Sequence, residues 1–275
     1  MNKTALSLAT LILLVQLAAA GTVTFTGTCG NYVPSSGTLG FRLSNSGNDS
    51  AYNLVLTPHI QNAQITNSIY TVSNLGPASS ASLNISISKL LQKGVAVVYF
   101  TAAYQQSSSV FTAVFPCLVS FVNVTTSQVL LSANSSVSSN NNATAKVRVF
   151  NAGTTPVSVN VSLILPPTFT YRSSGFSVVS LGPYQVTNVT FSLGFPVGTQ
   201  AAYAVGVAGS YSAGNLSYSS LATFIMQSPK QATASLGSLL IWAATAVVTV
   251  VILLLIISML RKKPRPMTQE PAGRV

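Results

Sequence analysis

The feature that most restricts the fold of this chain is an internal repeat. Three landmarks recur at a single offset of 106 positions. They are Arg-x-x-Asn-x-Gly at 42–47 and 148–153, Leu-Gly-Pro at 75–77 and 181–183, and an alternating apolar segment at 83–87 and 189–193. Because separate landmarks share one offset, the sequence indicates two copies of a unit of about 100 residues. A looser match within this alignment pairs Tyr99 with Tyr203.

Within each copy, apolar and polar residues alternate with a period of two, as in 157–165 and 189–195. Such alternation is typical of strands with one face on a core and the other in water. Clusters of Asn, Gly and Pro between these segments favour turns. We therefore predict an all-β ectodomain of two tandem Ig-like antiparallel β-sandwiches, 21–121 and 122–228. The Ser- and Asn-rich stretch 132–142 is interpreted as a polar loop.

The repeated motifs resemble a known family. An Asn-x-Gly strand end, an alternating strand that runs to a proline, Leu-Gly-Pro and an Asn-Val-Thr-Phe-Ser-Leu-like strand are similar to Ig-like domains of the CARDB type. They also resemble NPCBM-associated and S-layer-associated domains, which occur in tandem on archaeal and bacterial surfaces. The resemblance covers nearly all of residues 21–228. It implies an archaeal-type cell-surface membrane protein whose motifs are structural, with no catalytic residue to carry over.

The two ends of the chain carry export and membrane signals. Residues 1–20 combine a positive start, a short apolar run and Ala18-Ala19-Ala20, which is typical of a cleaved secretory signal; a retained N-terminal anchor is the alternative. Residues 236–260 hold no charge and would reach about 37 Å as a helix, enough to cross a bilayer. A short linker, 229–235, precedes this span.

A basic cluster follows the apolar span and sets its orientation. Its members are Arg261, Lys262, Lys263 and Arg265. Under the positive-inside rule these stop-transfer residues place the tail, 261–275, in the cytoplasm and the N-terminal domain outside. The sequence thus predicts a single-pass protein of the cell membrane. Outside the membrane, the net charge of about +6 is spread thinly, which argues against nucleic-acid binding.

The scarcity of ionisable side chains excludes most enzyme classes. The chain holds two acids, Asp49 and Glu270, and one histidine, His59. Glycoside hydrolysis needs two carboxylates, and a Ser-His-Asp arrangement would have to use His59 with Asp49. We interpret His59, which follows Pro58, as an exposed loop residue. The sequence predicts neither an enzyme, nor a metal site, nor a cofactor.

Cys29 and Cys117 are the two cysteines of the chain, and both fall in the first copy. In an exported protein such a pair is expected to be oxidised, so we predict a structural disulfide; two free thiols are the alternative.

Eight asparagines lie in Asn-x-Ser/Thr sequons outside the predicted span. They are Asn48, Asn84, Asn123, Asn134, Asn142, Asn160, Asn188 and Asn215. Three of them, Asn84, Asn160 and Asn188, occupy the polar phase of alternating strands, so a glycan there would point into water. We expect several of these sites to be occupied.

A chain with so few acids is expected to keep its stability in acid. Acid denaturation largely reflects protonation of native carboxylates, so we predict nearly constant stability from about pH 2 to 6, apart from His59 and Asp49. The alternative is that the composition reflects only a glycosylated, Ser/Thr/Asn-rich surface.

Taken together, these features favour a membrane-anchored extracellular glycoprotein with a structural role. The first hypothesis is a spacer or a support for an S-layer-like lattice, with the two domains stacked and holding a partner at a set height. The second is an adhesin or a ligand-binding accessory subunit of a membrane transporter or secretion complex. A viral surface glycoprotein would have the same topology. The expected partners are the membrane and other cell-surface proteins or a surface lattice.

Overall fold

The computed structural model describes residues 21–122, 127–138, 141–196 and 202–227. These residues all fall in one compact unit. The predicted signal, linker, membrane span and basic tail lie outside the described residues. In the described ranges no helix is long and apolar enough to cross a bilayer.

The alternating segments form β-strands, as their period predicts. The first copy contains β1 (Phe25–Val33), β2 (Thr38–Asn45), β3 (Ala51–Ile60), β4 (Ala63–Ile65), β5 (Tyr70–Leu75), β6 (Ser79–Leu90), β7 (Lys93–Gln106) and β8 (Ser109–Ser120). The second contains β9 (Val129–Val137), β10 (Asn142–Asn151), β11 (Val157–Ile164), β12 (Thr170–Tyr171), β13 (Phe176–Leu181), β14 (Val186–Gly194), β15 (Ala202–Ala213) and β16 (Leu216–Gln227).

Both copies arrange their strands in the same order. In the first, one sheet runs β1-β2-β6-β4, and the other runs β5-β3-β7 with β8 beyond β7. In the second, the corresponding orders are β9-β10-β14-β12 and β13-β11-β15-β16. Within each copy the neighbouring strands are antiparallel, and the two sheets enclose a core. The described chain is therefore all-β, and its sheets are arranged as Ig-like sandwiches.

The duplication extends to the register of single residue pairs. In β2 and β6, Thr38 pairs with Ser86. In β10 and β14, Thr144 pairs with Ser192, so both partners are displaced by the same 106 positions. The offset found in the sequence is therefore the structural offset of this strand pair.

Each sandwich has its own core of buried side chains. In the first, Phe41 of one sheet stacks on Phe100 of the other, with ring centroids 3.7 Å apart. The second core is mostly aliphatic, with Val147, Val161 and Val207 fully buried. Burying each such side chain contributes about 1.5–3 kcal/mol, and this burial orients the inward phase of every strand.

The structure corrects the expected polar loop at 132–142. Most of this stretch is strand, because β9 pairs with β10 along its length. Leu131, Ala133 and Val137 pack against the second core, while Ser132, Asn134 and Ser136 on the opposite phase are exposed. Small polar residues are weak strand formers on their own, but ladder hydrogen bonds and one buried face outweigh that preference.

The looser match of Tyr99 with Tyr203 is also wrong. Tyr203 belongs to the second core, whereas Tyr99 lies on the outer face of β7. The equivalent tyrosines are Tyr104 and Tyr211, which stack on Phe111 and Tyr218 respectively. In this strand the copies are offset by 211 − 104 = 107 positions, whereas matching Tyr99 with Tyr203 uses 203 − 99 = 104, so that match is three residues out of register and pairs an outward with an inward side chain.

Candidate functional site

The most extensively built feature outside the two cores is the joint between the sandwiches. Its centre is an apolar layer formed by residues on outward faces of their strands. Val97 and Val114 come from the first sandwich, and Ile164 and Ala208 from the second; each is no more than 3% exposed. Since apolar side chains on an outer face are buried here, each sandwich covers part of the other.

One end of the joint is closed by amide–hydroxyl hydrogen bonds. Asn62 of the first sandwich donates from Nδ2 to Ser217 Oγ of the second, at 2.9 Å. Gln92 donates from Nε2 to Ser212 Oγ, at 3.0 Å. Ser217 lies in β16 and Ser212 lies near the end of β15. The two hydrogen bonds therefore hold the β15–β16 hairpin of the second sandwich against the start of β7.

The opposite end of the joint is closed by hydroxyl groups. Thr112 Oγ1 and Thr168 Oγ1, one from each sandwich, are 3.0 Å apart. Burial, together with the nearby phenol of Tyr203, raises the pKa of Tyr104 to about 12. Burial also raises the pKa of Tyr203, which the hydrogen bond with Thr168 partly offsets. The joint thus runs along the whole of β7.

This arrangement corrects the expectation of sandwiches stacked one above the other. The two lie side by side, because the outer faces of β7 and β8 cover those of β11, β15 and β16. The expectation that two stacked sandwiches hold a partner at a set height therefore does not apply to the described residues.

A short parallel strand pair links the backbones of the two sandwiches at the joint. Leu216 and Ser217 of β16 pair with Lys93 and Gly94 of β7, which links the two sheets through the joint. Gly94 has a φ of +129°, and a Cβ at this position would collide with the Ser217 carbonyl oxygen. Only glycine combines that conformation with so close an approach.

Replacing Gly94 by alanine is expected to loosen the joint and to destabilise the protein by more than about 1 kcal/mol. The matched control is Gly40→Ala, because a Cβ at Gly40 would meet open space. Chemical denaturation of the full chain in detergent, followed by tyrosine fluorescence, compares the two. Equal midpoints for both variants would show that the strand pair at Gly94 does not stabilise the joint.

The only histidine lies in β3 rather than in an exposed loop, which corrects that expectation. Its ring stacks on Tyr99, with centroids 4.6 Å apart, and Nε2 is 3.2 Å from Thr101 Oγ1. Burial lowers the pKa of His59. Asp49, just before β3, accepts a hydrogen bond from Gln106 Nε2 at 3.0 Å. The length of β3 separates Asp49 and His59 by about 30 Å, so these two side chains cannot form one catalytic site.

The lowered pKa of His59 predicts a single step in acid stability. The unfolded chain binds a proton near pH 6.5 and the folded chain only at lower pH. His59 therefore stabilises the fold fully above pH 6.5, and this contribution is lost as the pH falls through the depressed pKa. Below that step we expect little further loss, since residues 21–228 contain one carboxylate side chain, Asp49.

Thermal unfolding from pH 7 to 2.5 checks this step, with His59→Gln as the variant that removes it. We expect the melting midpoint of the parent chain to fall over one narrow interval and that of the variant to stay level. A steady decline of both midpoints down to pH 2.5 would contradict the assignment.

The predicted disulfide between Cys29 and Cys117 is present, with Cα atoms 6.2 Å apart. It connects β1 to β8, which belong to different sheets of the first sandwich. In the second sandwich Ala133 occupies the equivalent position: Ala133 pairs with Val147 as Cys29 pairs with Phe41. The first sandwich therefore has a covalent link between its sheets that its copy lacks.

The described sequon asparagines all have exposed side chains. They are Asn48, Asn84, Asn134, Asn142, Asn160, Asn188 and Asn215. Asn123 lies outside the described residues. Asn134 and Asn188 flank Lys146 and Arg148 on the outer face of one sheet, around a shallow groove of about 470 Å³. Exposure permits modification, and occupancy stays a prediction.

The asparagines of the repeated Asn-x-Gly motif have a structural role that was not predicted from the sequence. Asn45 and Asn151, the asparagines of the repeated Asn-x-Gly motif, are fully buried and hydrogen-bonded. Asn151 donates to the carbonyl oxygens of Thr155 and Gly182, at 2.8 and 2.9 Å, and accepts from Gly153 N–H. A signal was present, because both asparagines fall on the inward, otherwise apolar phase of their strands.

Within the ranges that the structure describes, no three His, Cys, Asp or Glu side chains converge on a possible metal position. The fold, the disulfide and the joint define a class: paired Ig-like β-sandwiches of extracytoplasmic type. No family model matches this chain, and no curated protein matches it.

This chain shows distant structural similarity to Ig-like β-sandwich domains of solved structures. Elastase-activated Escherichia coli alpha-2-macroglobulin is 10% identical over 76% of this chain, with a TM-score of 0.28, and the match spans 22% of that protein. The YadV chaperone is 12% identical over 74% of this chain and 99% of its own, with a TM-score of 0.29. The Pseudomonas aeruginosa CupB2 chaperone is 14% identical over 70% and 93%, with a TM-score of 0.27. Similarity at this level assigns no family.

Proposed function

We propose that this protein is a single-pass, membrane-anchored cell-surface glycoprotein that acts as a structural support. Its paired sandwiches hold a surface lattice or another cell-surface protein in a fixed position relative to the membrane. The proposal includes the archaeal-type setting and the CARDB-like or S-layer-associated character that the sequence motifs imply.

The joint is the observation that carries this proposal. A hinge between two domains normally exposes a flexible linker and a small, polar contact. Here Val97, Ile164 and Ala208 are buried between the sandwiches, and a strand pair at Gly94 continues the sheet across them. Two sandwiches fixed to each other in this way would hold a partner in place rather than close on a ligand, which suits a structural support.

The sequence supplies the other support for this role. Residues 1–20 would direct export. The apolar span at 236–260, with the basic cluster after it, would anchor the paired sandwiches at the outer face of the membrane. The Cys29–Cys117 disulfide fits an oxidising compartment, as does a surface rich in exposed sequons.

Electron cryotomography of source cells that lack this protein tests the proposed role. We expect the spacing between the surface lattice and the membrane to become irregular, and re-expression of the parent chain to restore it. Gly94→Ala should restore it poorly and the control Gly40→Ala fully. Unchanged lattice spacing, together with stoichiometric recovery of the tagged protein with transporter or secretion subunits, would favour the accessory-subunit alternative and overturn this one.

A further inference from the structure

A second groove lies at the joint, and both sandwiches form its walls. Its volume is about 410 Å³, within the range of about 300–1,000 Å³ that small-molecule sites occupy. Asn62 and Gln92 of the first sandwich line one side. The second sandwich contributes the rest: Ser158, Asn160, Val178, Ser210, Tyr211, Ser212 and Ser217. Amide and hydroxyl groups dominate this lining, and none of its residues is charged.

One wall residue of this groove is itself a sequon asparagine. Asn160 begins Asn160-Val161-Ser162 in β11. Val161 is fully buried in the second core, so the neighbouring Asn160 points to the outer face, where it is exposed. A sugar attached to Asn160 Nδ2 would therefore begin at the edge of the groove.

The two strands beside Asn160 supply both a polar and an apolar surface. Asn160 pairs with Ser210 of β15 on one side and with Val178 of β13 on the other. Val178 is 61% exposed although it is apolar. The C–H face of a pyranose ring would cover Val178, while its hydroxyl groups would meet the serine side of the groove.

We propose that an N-linked glycan on Asn160 occupies this groove and binds both sandwiches across the joint. This inference depends on the extracellular placement in the proposed function. Because the lining is uncharged, the groove suits neutral sugars, a hexose or an N-acetylhexosamine, rather than acidic ones. The glycan acts as a non-protein component of the joint.

The far wall has hydrogen-bonding capacity for such a sugar. The Asn62 and Gln92 amides each offer two N–H donors and one carbonyl acceptor. Their hydrogen bonds to Ser217 and Ser212 use one donor each. A sugar hydroxyl both donates and accepts, so it can bind such an amide without displacing the serine. The glycan on the second sandwich thereby restrains segments of the first.

The test uses the full chain, purified in detergent from a host that performs N-glycosylation. Glycopeptide mass spectrometry measures the occupancy of each sequon, and hydrogen exchange measures protection of the peptides that contain Asn62 and Gln92. We expect Asn160 to be occupied. Asn160→Gln and Ser162→Ala, of which the latter keeps the asparagine, should each accelerate exchange in both peptides by about tenfold.

Two control variants separate this glycan from others. Asn134→Gln removes an exposed sequon from the other sheet of the same sandwich, and it should leave exchange at Asn62 and Gln92 unchanged. Asn215→Gln removes the sequon in the turn between β15 and β16, near the joint but outside the groove lining. A loss of protection that follows Asn215 instead of Asn160 would overturn the proposal.

The remaining outcomes distinguish this inference from the function on which it depends. If other sequons are occupied and Asn160 is not, the glycan proposal fails while the extracellular role stands. If Asn160 is occupied but its removal leaves exchange unchanged, the glycan extends into solvent and the proposal again fails. If no sequon is occupied in a glycosylating host, both the glycan and the extracellular placement are contradicted.

Discussion

Replacing both Cys29 and Cys117 by serine is expected to destabilise the first sandwich by about 4–5 kcal/mol. The disulfide closes a loop across a sequence separation of 88 residues, and loss of this constraint widens the unfolded ensemble by roughly that amount in the chain-entropy account. The bond also joins β1 and β8, strands at the outer edges of the two sheets. Without it, the first sandwich can open along that edge.

The second sandwich offers a matched control for this prediction. There Ser135 Oγ donates to the Ile225 carbonyl oxygen at 3.3 Å, which links β9 and β16 at the corresponding edge. Ser135→Ala removes that exposed hydrogen bond and should cost no more than about 1 kcal/mol. Hydrogen exchange resolved by peptide, across a denaturant series, assigns each loss to its sandwich. Unchanged unfolding of residues 25–120 in the double serine variant would contradict the prediction.

Replacing Asn151 by alanine is expected to destabilise the second sandwich by about 3–5 kcal/mol. The side chain is fully buried and satisfies two carbonyl oxygens and one N–H in the turns around it. Each buried polar group left without a partner costs about 1–3 kcal/mol. The loss would therefore approach the stability of a typical domain.

The control for Asn151 lies in the same turn. Gln185 accepts a hydrogen bond from Gly182 N–H at 2.7 Å, but its side chain is exposed. Gln185→Ala should cost less than about 1 kcal/mol, because water replaces the lost partner. Asn45→Ala tests the equivalent residue of the first sandwich and should be as severe as Asn151→Ala. Denaturant midpoints for the three variants decide the matter; a midpoint for Asn151→Ala equal to that for Gln185→Ala would refute the buried role.

Much of the fold could be predicted from the sequence because the relevant signals are local. Alternation in 157–165 and 189–195 correctly indicated strands and their inward faces. The landmarks at an offset of 106 correctly indicated the duplication. The Ser- and Asn-rich stretch 132–142 misled, since its strand character depends on pairing with β10 and on a core to which its small apolar residues contribute. Composition alone gave that stretch the appearance of a loop.

The candidate site was less predictable. The continuous apolar run 95–100 in β7 departs from alternation, and such runs are typical of strands covered on both faces. That signal indicated that the outer face of β7 is also covered, without identifying the second sandwich as what covers it. Likewise, Asn45 and Asn151 fall on the inward phase of their strands, which indicates burial, but the carbonyl groups that they bind became apparent only from the tertiary structure.

The amino-acid sequence by itself determined the strand periodicity, the duplication and the likeness of its two sandwiches, because inward and outward phase is a property of neighbouring residues. The tertiary structure alone decided that Val97 meets Ile164 and Ala208, that the sandwiches lie side by side, and that Asn160 borders a groove closed by Asn62 and Gln92. These contacts join residues far apart in the chain on the outer faces of strands. Their pairing depends on how two finished surfaces fit, which no local pattern encodes.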